Sequence, residues 1–318
     1  MMDNILNRLP AFVDQIKEIQ EVIISNIILI GQTPAPTFHE QARTEIFLEL
    51  LSDAQVDYCA TDDYNIPISI IKGSSECSRP PIFVVAHIDT FMGADIDHNY
   101  IVRKTTISGP GILDNSLGVG VLASLPVIFK QLDLHFESDI VLAGVPQSIG
   151  KGNLQGIRHL LDNWEGPIRG GVIVEGEKLG RLNYYSEGII RGEITCNVAA
   201  TGGWEHRYKP NDIIILNKVI DEILAMELPL RPQSRVIIGK INGGFKHGVI
   251  AYDARLGFEI QSDSEDMVRR LHSEIDDIVS GIGQENQVSL KLDIISNLTP
   301  TTLRYKPPLV KSTVSIMT

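Results

Sequence analysis

Cysteine is scarce and scattered in this chain of 318 residues: Cys59, Cys77 and Cys196 form no C-x-x-C pair. An odd, dispersed set argues against a disulfide framework and against a zinc–thiolate site, and it suits a reducing compartment. Basic charge is also in short supply. Against 40 aspartates and glutamates stand 28 lysines and arginines, for a net charge of -12. No Lys/Arg cluster offsets this, so neither nucleic acid nor an anionic membrane is an expected partner, because both reward a basic face. Long apolar runs are missing too. The longest, Val22 to Ile30, is interrupted by Ser25 and Asn26 and falls far short of the ~20 residues a membrane span needs. The opening Met1-Met-Asp-Asn-Ile lacks the charged-then-apolar layout of a signal peptide. These absences lead to the expectation of a soluble, cytoplasmic protein with a well-filled core and room for two domains. No G-x-S-x-G elbow exists, which removes the commonest serine hydrolase signature. Gly118-Val-Gly-Val-Leu-Ala123 fits G-x-G-x-x-A but does not directly follow a strand, so dinucleotide binding is not expected.

What the chain does have is a set of short apolar runs that end in polar residues. Three stand out: Ile82-Phe-Val-Val-Ala-His87-Ile-Asp89, Ile140-Val-Leu-Ala-Gly-Val-Pro-Gln147-Ser148 and Val172-Ile-Val-Glu175. Nearly continuous Val, Ile and Leu predicts strands buried on both faces. Helical stretches at about Leu117–Gln131 and Leu154–Asn163 lie between them. The alternation predicts an α/β fold with a mainly parallel, helix-covered sheet. Before it, Phe12, Ile16, Ile19, Ile23 and Ile27 recur at helical spacing and predict one amphipathic helix, broken by Pro34 and Pro36. Thr37 or a neighbour is placed to cap the next helix.

After Gly188 the pattern changes. Strands over 189–199, 235–241, 249–260 and 288–295 and helices over 211–226 and 264–280 follow the order β-α-β-β-α-β, the ferredoxin-like pattern. Leu256, Phe258 and Ile260 alternate as in a sheet with one buried face, and Met267, Leu271, Ile275 and Ile278 form a helical core stripe. The expected division is therefore 1–187 for the first part of a metal-binding α/β domain and 188–297 for an inserted ferredoxin-like lid or dimerisation domain. Residues 298–318 make an incomplete return to the first domain, with Pro308 opening a helix.

The polar residues at the strand ends are candidates for metal chemistry. Strand alternation puts His87 and Asp89 on one face, where Asp89 is placed to fix the imidazole tautomer. Alone, such a pair reads more readily as a simple hydrogen bond at a strand end, and Asp114 reads equally as a helix N-cap. Glu175, straight after an apolar strand, is costly to bury unless paired, metal-bound or at a solvent edge. All of them lie beyond the carboxyl ends of apolar strands, where open α/β sheets place their ligands.

Taken in order, these segments resemble the co-catalytic zinc peptidases and deacylases that include carboxypeptidase G, aminoacylase, succinyl-diaminopimelate desuccinylase and peptidase T. The resemblance runs from about Ile23 to the end of the chain. It is carried by Thr33-Pro-Ala-Pro-Thr-Phe-His-Glu40, Ala86-His-Ile-Asp-Thr90, Gly109-Pro-Gly-Ile-Leu-Asp-Asn-Ser-Leu-Gly118 and Ala143-Gly-Val-Pro-Gln-Ser-Ile-Gly-Lys-Gly152. Val174-Glu-Gly176, Gly202-Gly-Trp-Glu-His206 with Pro210, and Asn242-Gly-Gly244 complete it. It implies two zinc ions bridged by Asp114, one of them also held by His87 and Glu175, a three-ligand open set. Asp89 is then a catalytic residue beside the metal, and His206 of the second domain a substrate contact. The implied substrate is a small peptide or N-acyl amino acid, and a homodimer through the second domain is implied as well.

The departures from the family pattern are specific. Gln147 occupies the place of the general base, and Ser148 the place of a glutamate ligand of the second metal. The residues end at Thr318 before a C-terminal histidine ligand appears. Lys246-His247 stands where the family favours asparagine, and Gln261 where arginine is usual. A neutral amide cannot take up a proton at neutral pH, and loss of general base assistance typically costs ~10²–10⁴-fold in rate. The expectation is one zinc ion with the second site incomplete, and weak or no hydrolysis. The alternative is a non-catalytic binding or dimerisation protein derived from the family.

Overall fold

The computed structural model describes residues 2–74, 79–176, 178, 180–197, 210–303 and 307–317. It divides into two compact units, Met1–Leu182 with Pro308–Thr318, and Asn183–Pro307.

The first unit is built on a five-stranded sheet of β1 (Tyr58–Thr61), β2 (Pro67–Ile71), β3 (Ile82–His87), β4 (Ile140–Val145) and β5 (Gly170–Ile173). Its strand order is β1-β2-β4-β3-β5. The three apolar runs of the sequence form the parallel part, β4-β3-β5. Every residue of β4 is buried, which is why that run shows no alternation. The sheet is mixed because β1 and β2 pair antiparallel and β2 runs antiparallel to β4. A connection as short as 62–66 can join only antiparallel neighbours.

The helices of this unit are α1 (Met2–Glu18), α2 (Gln20–Gln32), α3 (Gln41–Asp53), α4 (Leu117–Gln131), α5 (Gln155–Asp162) and α8 (Pro308–Met317). The single N-terminal helix expected from periodicity is two, divided at Ile19 (φ -108°, ψ 12°). One apolar cluster joins Ile30, Phe47, Leu51, Val119 and Leu122 to Ala86 and Leu142 of the sheet. The opposite cluster joins Phe83, Val85, Val141 and Ala143 to Ile66 and Leu160. Gly120, a glycine of the G-x-G-x-x-A match, lies inside α4, where an added Cβ would meet Ile27 of α2 at 2.6 Å. Its role is close helix packing. The segment Ile112–Gln131 is long and apolar enough to cross a membrane by length and composition, and half of it is buried in the structure. A core helix passes the same test, and Val119, Leu122 and Ala123 are 0–1% exposed.

The second unit has β6 (Gly188–Cys196), α6 (Asp212–Ala225), β7 (Ser234–Gly243), β8 (Ala254–Ser262), α7 (Glu265–Asn286) and β9 (Leu290–Leu298). Its antiparallel sheet has the order β7-β8-β6-β9, the ferredoxin-like arrangement. Asn211 starts α6 by accepting from Ile213 N at 3.1 Å, and Ser264 starts α7 by accepting from Met267 N at 3.4 Å. Leu256, Phe258 and Ile260 alternate into the core as expected. The buried stripe of α7 is Val268, Leu271, Ile275, Val279 and Ile282, with the partly buried Met267 and Ile278 on its flanks. The stripe read from the sequence thus straddles the buried face, because two helical positions on either side of a contact line both read as apolar.

Leu256 has no exposed surface. Truncation to alanine there should cost about 2–5 kcal/mol; urea denaturation of Leu256→Ala against the parent chain measures it.

Candidate metal centre

Parallel pairing of β3, β4 and β5 brings three chain segments out at one end of the sheet: Ile88–Thr90, Pro146–Ile149 and Val174–Gly176. Backbone bonds extend the ladder past the strands, from Ile88 N to Val145 O and from Val174 N to Val85 O, both at 2.8 Å. The Asp114 turn arrives from the start of α4. Asn115, with no exposed surface, is the tie that sets it. Its Oδ1 accepts from Gly118 N at 3.1 Å and Gly176 N at 3.0 Å, and its Nδ2 donates to Val174 O at 2.8 Å. One amide therefore locks the Asp114 turn to the Glu175 segment. Asp114 itself is not a helix cap: position Ser116 precedes α4, and no side chain caps it.

The result is a three-ligand group. His87 Nε2 stands 3.0 Å from Asp114 Oδ1 and 3.5 Å from Glu175 Oε2. The ligand atoms of the three residues lie within 4.8 Å of one another, the arrangement found among the described residues that is able to hold a metal ion. The imidazole is nearly buried, at 11% exposure, whereas both carboxylates are half exposed. His87 Nδ1 lies 3.0 Å from the backbone oxygen of Asp89. With Nδ1 donating there, Nε2 is the nitrogen that faces the carboxylates: it donates a proton to Asp114 in the metal-free site and would offer its lone pair to a bound metal. Burial alone would lower the basicity of His87, but the bonds and charges of Asp114, Asp89 and Glu175 outweigh it and lift its pKa to about 11. An imidazole between carboxylates attracts positive charge strongly, and a divalent cation satisfies the same demand.

Asp89 sits where the sequence places it, beside His87, with its Oδ1 3.5 Å from Nδ1. Its larger task is structural. The carboxylate has no exposed surface, and Oδ2 accepts from Thr37 Oγ1 at 2.9 Å, Ser148 N at 2.9 Å and Ile149 N at 2.8 Å. Burial pushes its pKa up, but the bonds from His87 and from the backbone of Ile149 and Ser148 override this and hold it below the ordinary carboxylate value. Thr37 thus spends its hydroxyl on Asp89, not on capping α3, whose N-cap position is Glu40. Periodicity and short motifs carry no signal for a contact between positions so far apart. Thr37, Asn115 and Glu40 are therefore the site-shaping residues that a reading for metal ligands passes over.

Gln147 is held in a left-handed conformation (φ 53°), and its backbone N–H donates to Glu40 Oε1 at 2.9 Å. Its side-chain Oε1 lies 2.7 Å from the Tyr64 hydroxyl, which also lies 2.8 Å from Gln155 Oε1. A phenol has one hydrogen, so it donates to one amide oxygen and the other glutamine must present its NH₂ to the phenol oxygen. Gln147 is engaged on either assignment. Ser148 is 8% exposed and its hydroxyl has no hydrogen-bond partner among the described residues. His206 lies outside the described residues, as does Cys77. Gln261 belongs to a polar ladder on β8 and its neighbours, bonded to Glu259 and to Arg235, which in turn meets Glu187 at 3.0 Å.

No family model and no curated protein matches the sequence. Solved structures do match. The chain is similar to the dipeptidase Dug1p of Saccharomyces cerevisiae, at 13% identity with a TM-score of 0.73, over 95% of this chain and 82% of that one. It is similar to human carnosine dipeptidase 1, at 10% identity with a TM-score of 0.69, over 93% and 81%. The YxeP protein of Bacillus subtilis, a dinuclear metal-binding peptidase of the M20 family, matches at 13% identity with a TM-score of 0.56, over 90% and 76%.

Replacing Asn115 with alanine should orphan the buried Gly118 N–H and the part-buried Gly176 N–H and loosen Asp114 from Glu175. Expected are a stability loss of about 1–3 kcal/mol in urea and metal affinity weakened roughly 10–100-fold in competition with a chelating dye. From its sheet order, its two units and these neighbours, the chain has the peptidase/amidohydrolase fold of the M20 family.

Proposed function

We propose that this protein binds a single divalent metal ion, zinc by preference, through His87, Asp114 and Glu175, and uses the site to recognise a small peptide or N-acyl amino acid with little or no cleavage. The observation that carries this reading is the contrast within one sheet end. Three ligand atoms converge within 4.8 Å, while the neighbouring turn offers Gln147 and Ser148 and no carboxylate. The donor set fits a cation: one imidazole nitrogen with its partner nitrogen already donated, and two half-exposed carboxylates. A bound zinc ion would supply Lewis-acid polarisation of a substrate carbonyl.

What the chain's own residues add is positioning. Asp89 orients His87 and fixes the 147–149 turn, and Asn115 keeps Asp114 against Glu175. Neither Gln147 nor Ser148 takes up a proton at neutral pH, so general base assistance worth ~10²–10⁴-fold is missing from this turn. The protein is on this reading a pseudoenzyme or a very slow hydrolase. His206 is assigned to the substrate carboxylate from the resemblance alone. The acidic net charge supports a small-molecule partner over nucleic acid or membrane. A homodimer through the second unit is supported by the outer strand β7, with Ile241 53% exposed, and by the exposed Ile214 and Leu224 of α6.

Metal analysis after zinc reconstitution should find one ion per chain, lost in His87→Ala; a parent chain without bound metal overturns the assignment. Glutamate at both Gln147 and Ser148 should raise hydrolysis of dipeptides or N-acyl amino acids by at least ~10² with added zinc. Equal rates in the parent and the double variant would show that Gln147 is no impediment. A non-catalytic dimerisation role is favoured instead if His87→Ala changes neither metal content nor ligand binding.

A further inference from the structure

A cavity of about 480 Å³ lies in the first unit, on the side of the Gln147 turn that carries Tyr64. Its walls include Phe38, Glu40, Gln41, Glu45, Tyr64 and Gln147, and none of the three metal-ligating residues. That volume falls within the range of small-molecule sites. The wall is built and held. Glu40, 5% exposed, uses one oxygen to accept both Phe38 N at 3.0 Å and Gln147 N at 2.9 Å. Both residues it holds are non-glycine residues in the left-handed region, with φ 76° and 53°. The same carboxylate thus draws two turns, from opposite ends of the sequence of this unit, around one space.

Two carboxylates, Glu40 and Glu45, the rings of Phe38 and Tyr64 and the imidazole of His39 line the cavity, with no lysine or arginine on its walls among the described residues. Phe38 is 50% exposed, so its ring is open to a ligand, and its backbone lies in the left-handed region. Glu45 is fixed by a bond from Gln41 Nε2 at 2.7 Å, and Gln41 Oε1 in turn accepts from Asn65 Nδ2 at 2.8 Å. Burial raises the Glu40 pKa against the pull of the Gln147 and Phe38 N–H groups, and a cation in the cavity would favour its charged form.

We propose that this cavity is a second binding site, independent of the metal group, for a small molecule carrying a primary ammonium group, such as a free amino terminus. Carboxylates supply the counter-charge, Phe38 a cation–π face, and the amides of Gln41 and Gln147 hydrogen bonds to neighbouring polar groups of the ligand.

The test uses the full chain and glycinamide as the probe, titrated by NMR, with N-acetylglycinamide as the probe whose ammonium is blocked. Glycinamide should bind saturably and perturb residues 38–45 and 64–65. N-acetylglycinamide should bind at least roughly tenfold more weakly, a loss of about 1.4 kcal/mol. Glu45→Gln, at an exposed position that leaves the fold intact, should weaken glycinamide binding severalfold, as should Phe38→Ala. Stripping metal with a chelator should leave binding unchanged, and so should His87→Ala. Absence of saturable binding, or equal binding of the two probes, overturns the inference. Binding that disappears with the metal also overturns it, placing the amine at the metal group.

Discussion

A carboxylate without any exposed surface, Asp89, holds the functional end of the sheet together. Its neighbours on the chain are the ligand strand β3 and the turn that follows it, yet its hydrogen bonds reach across to Thr37, Ser148 and Ile149. A buried charge is tolerable when it is hydrogen-bonded, and here one oxygen, Oδ2, takes three bonds from the turns at 33–37 and 147–149, while Oδ1 faces His87 Nδ1 at 3.5 Å. Arg43, also buried, does the complementary work with its guanidinium, bonding the carbonyls of Thr33 and Ile88. Acceptor and donor together fix the prolines' turn at 33–37 against the end of β3.

On the proposed reading, this arrangement separates two properties that an active metal hydrolase joins. Holding a cation requires convergent lone pairs, and His87, Asp114 and Glu175 provide them through Asn115 and the parallel ladder. Moving a proton requires a group whose pKa lies within reach of neutral pH. At Gln147 there is an amide bonded to Tyr64. The framework around that turn is nonetheless fully built, with Glu40 and Asp89 gripping its backbone. The turn is thus held in shape around an amide, which takes up no proton at neutral pH, and a small space with acidic and aromatic walls lies beside it.

In the second unit, a sheet with one buried face packs α6 and α7 over Ile194, Leu256 and Ile260. The other face carries Arg191, Glu259, Gln261 and Arg235 in a bonded ladder. Alternation of side chains along each strand sends apolar residues to one side and this polar set to the other. The Arg235 end of the ladder is exposed, where water competes and such bonds contribute little to stability, whereas Arg191 and Glu259 are part-buried.

Much was legible in the residues themselves. The apolar runs at 82–86, 140–145 and 172–174 announced parallel strands, but only the middle one is buried throughout, and Ile173 of the edge strand β5 is 66% exposed; α4 occupies the very stretch, Leu117–Gln131, that its periodicity marks. The order of motifs pointed to the fold that the solved structures share. Local patterns suffice for these because strand burial and helix amphipathicity are encoded over a few neighbouring positions. The break at Ile19, the antiparallel hairpin β1–β2 and the diversion of Thr37 from a cap to a carboxylate were not legible. By itself, then, the sequence determined which elements form and which residues are chemically able to bind metal or move a proton. Only the tertiary structure decided that His87, Asp114 and Glu175 meet, that Asn115 and Asp89 hold them, and that Gln147 faces Tyr64. Those contacts join residues tens of positions apart, and only the packing of sheet and helices sets their distances.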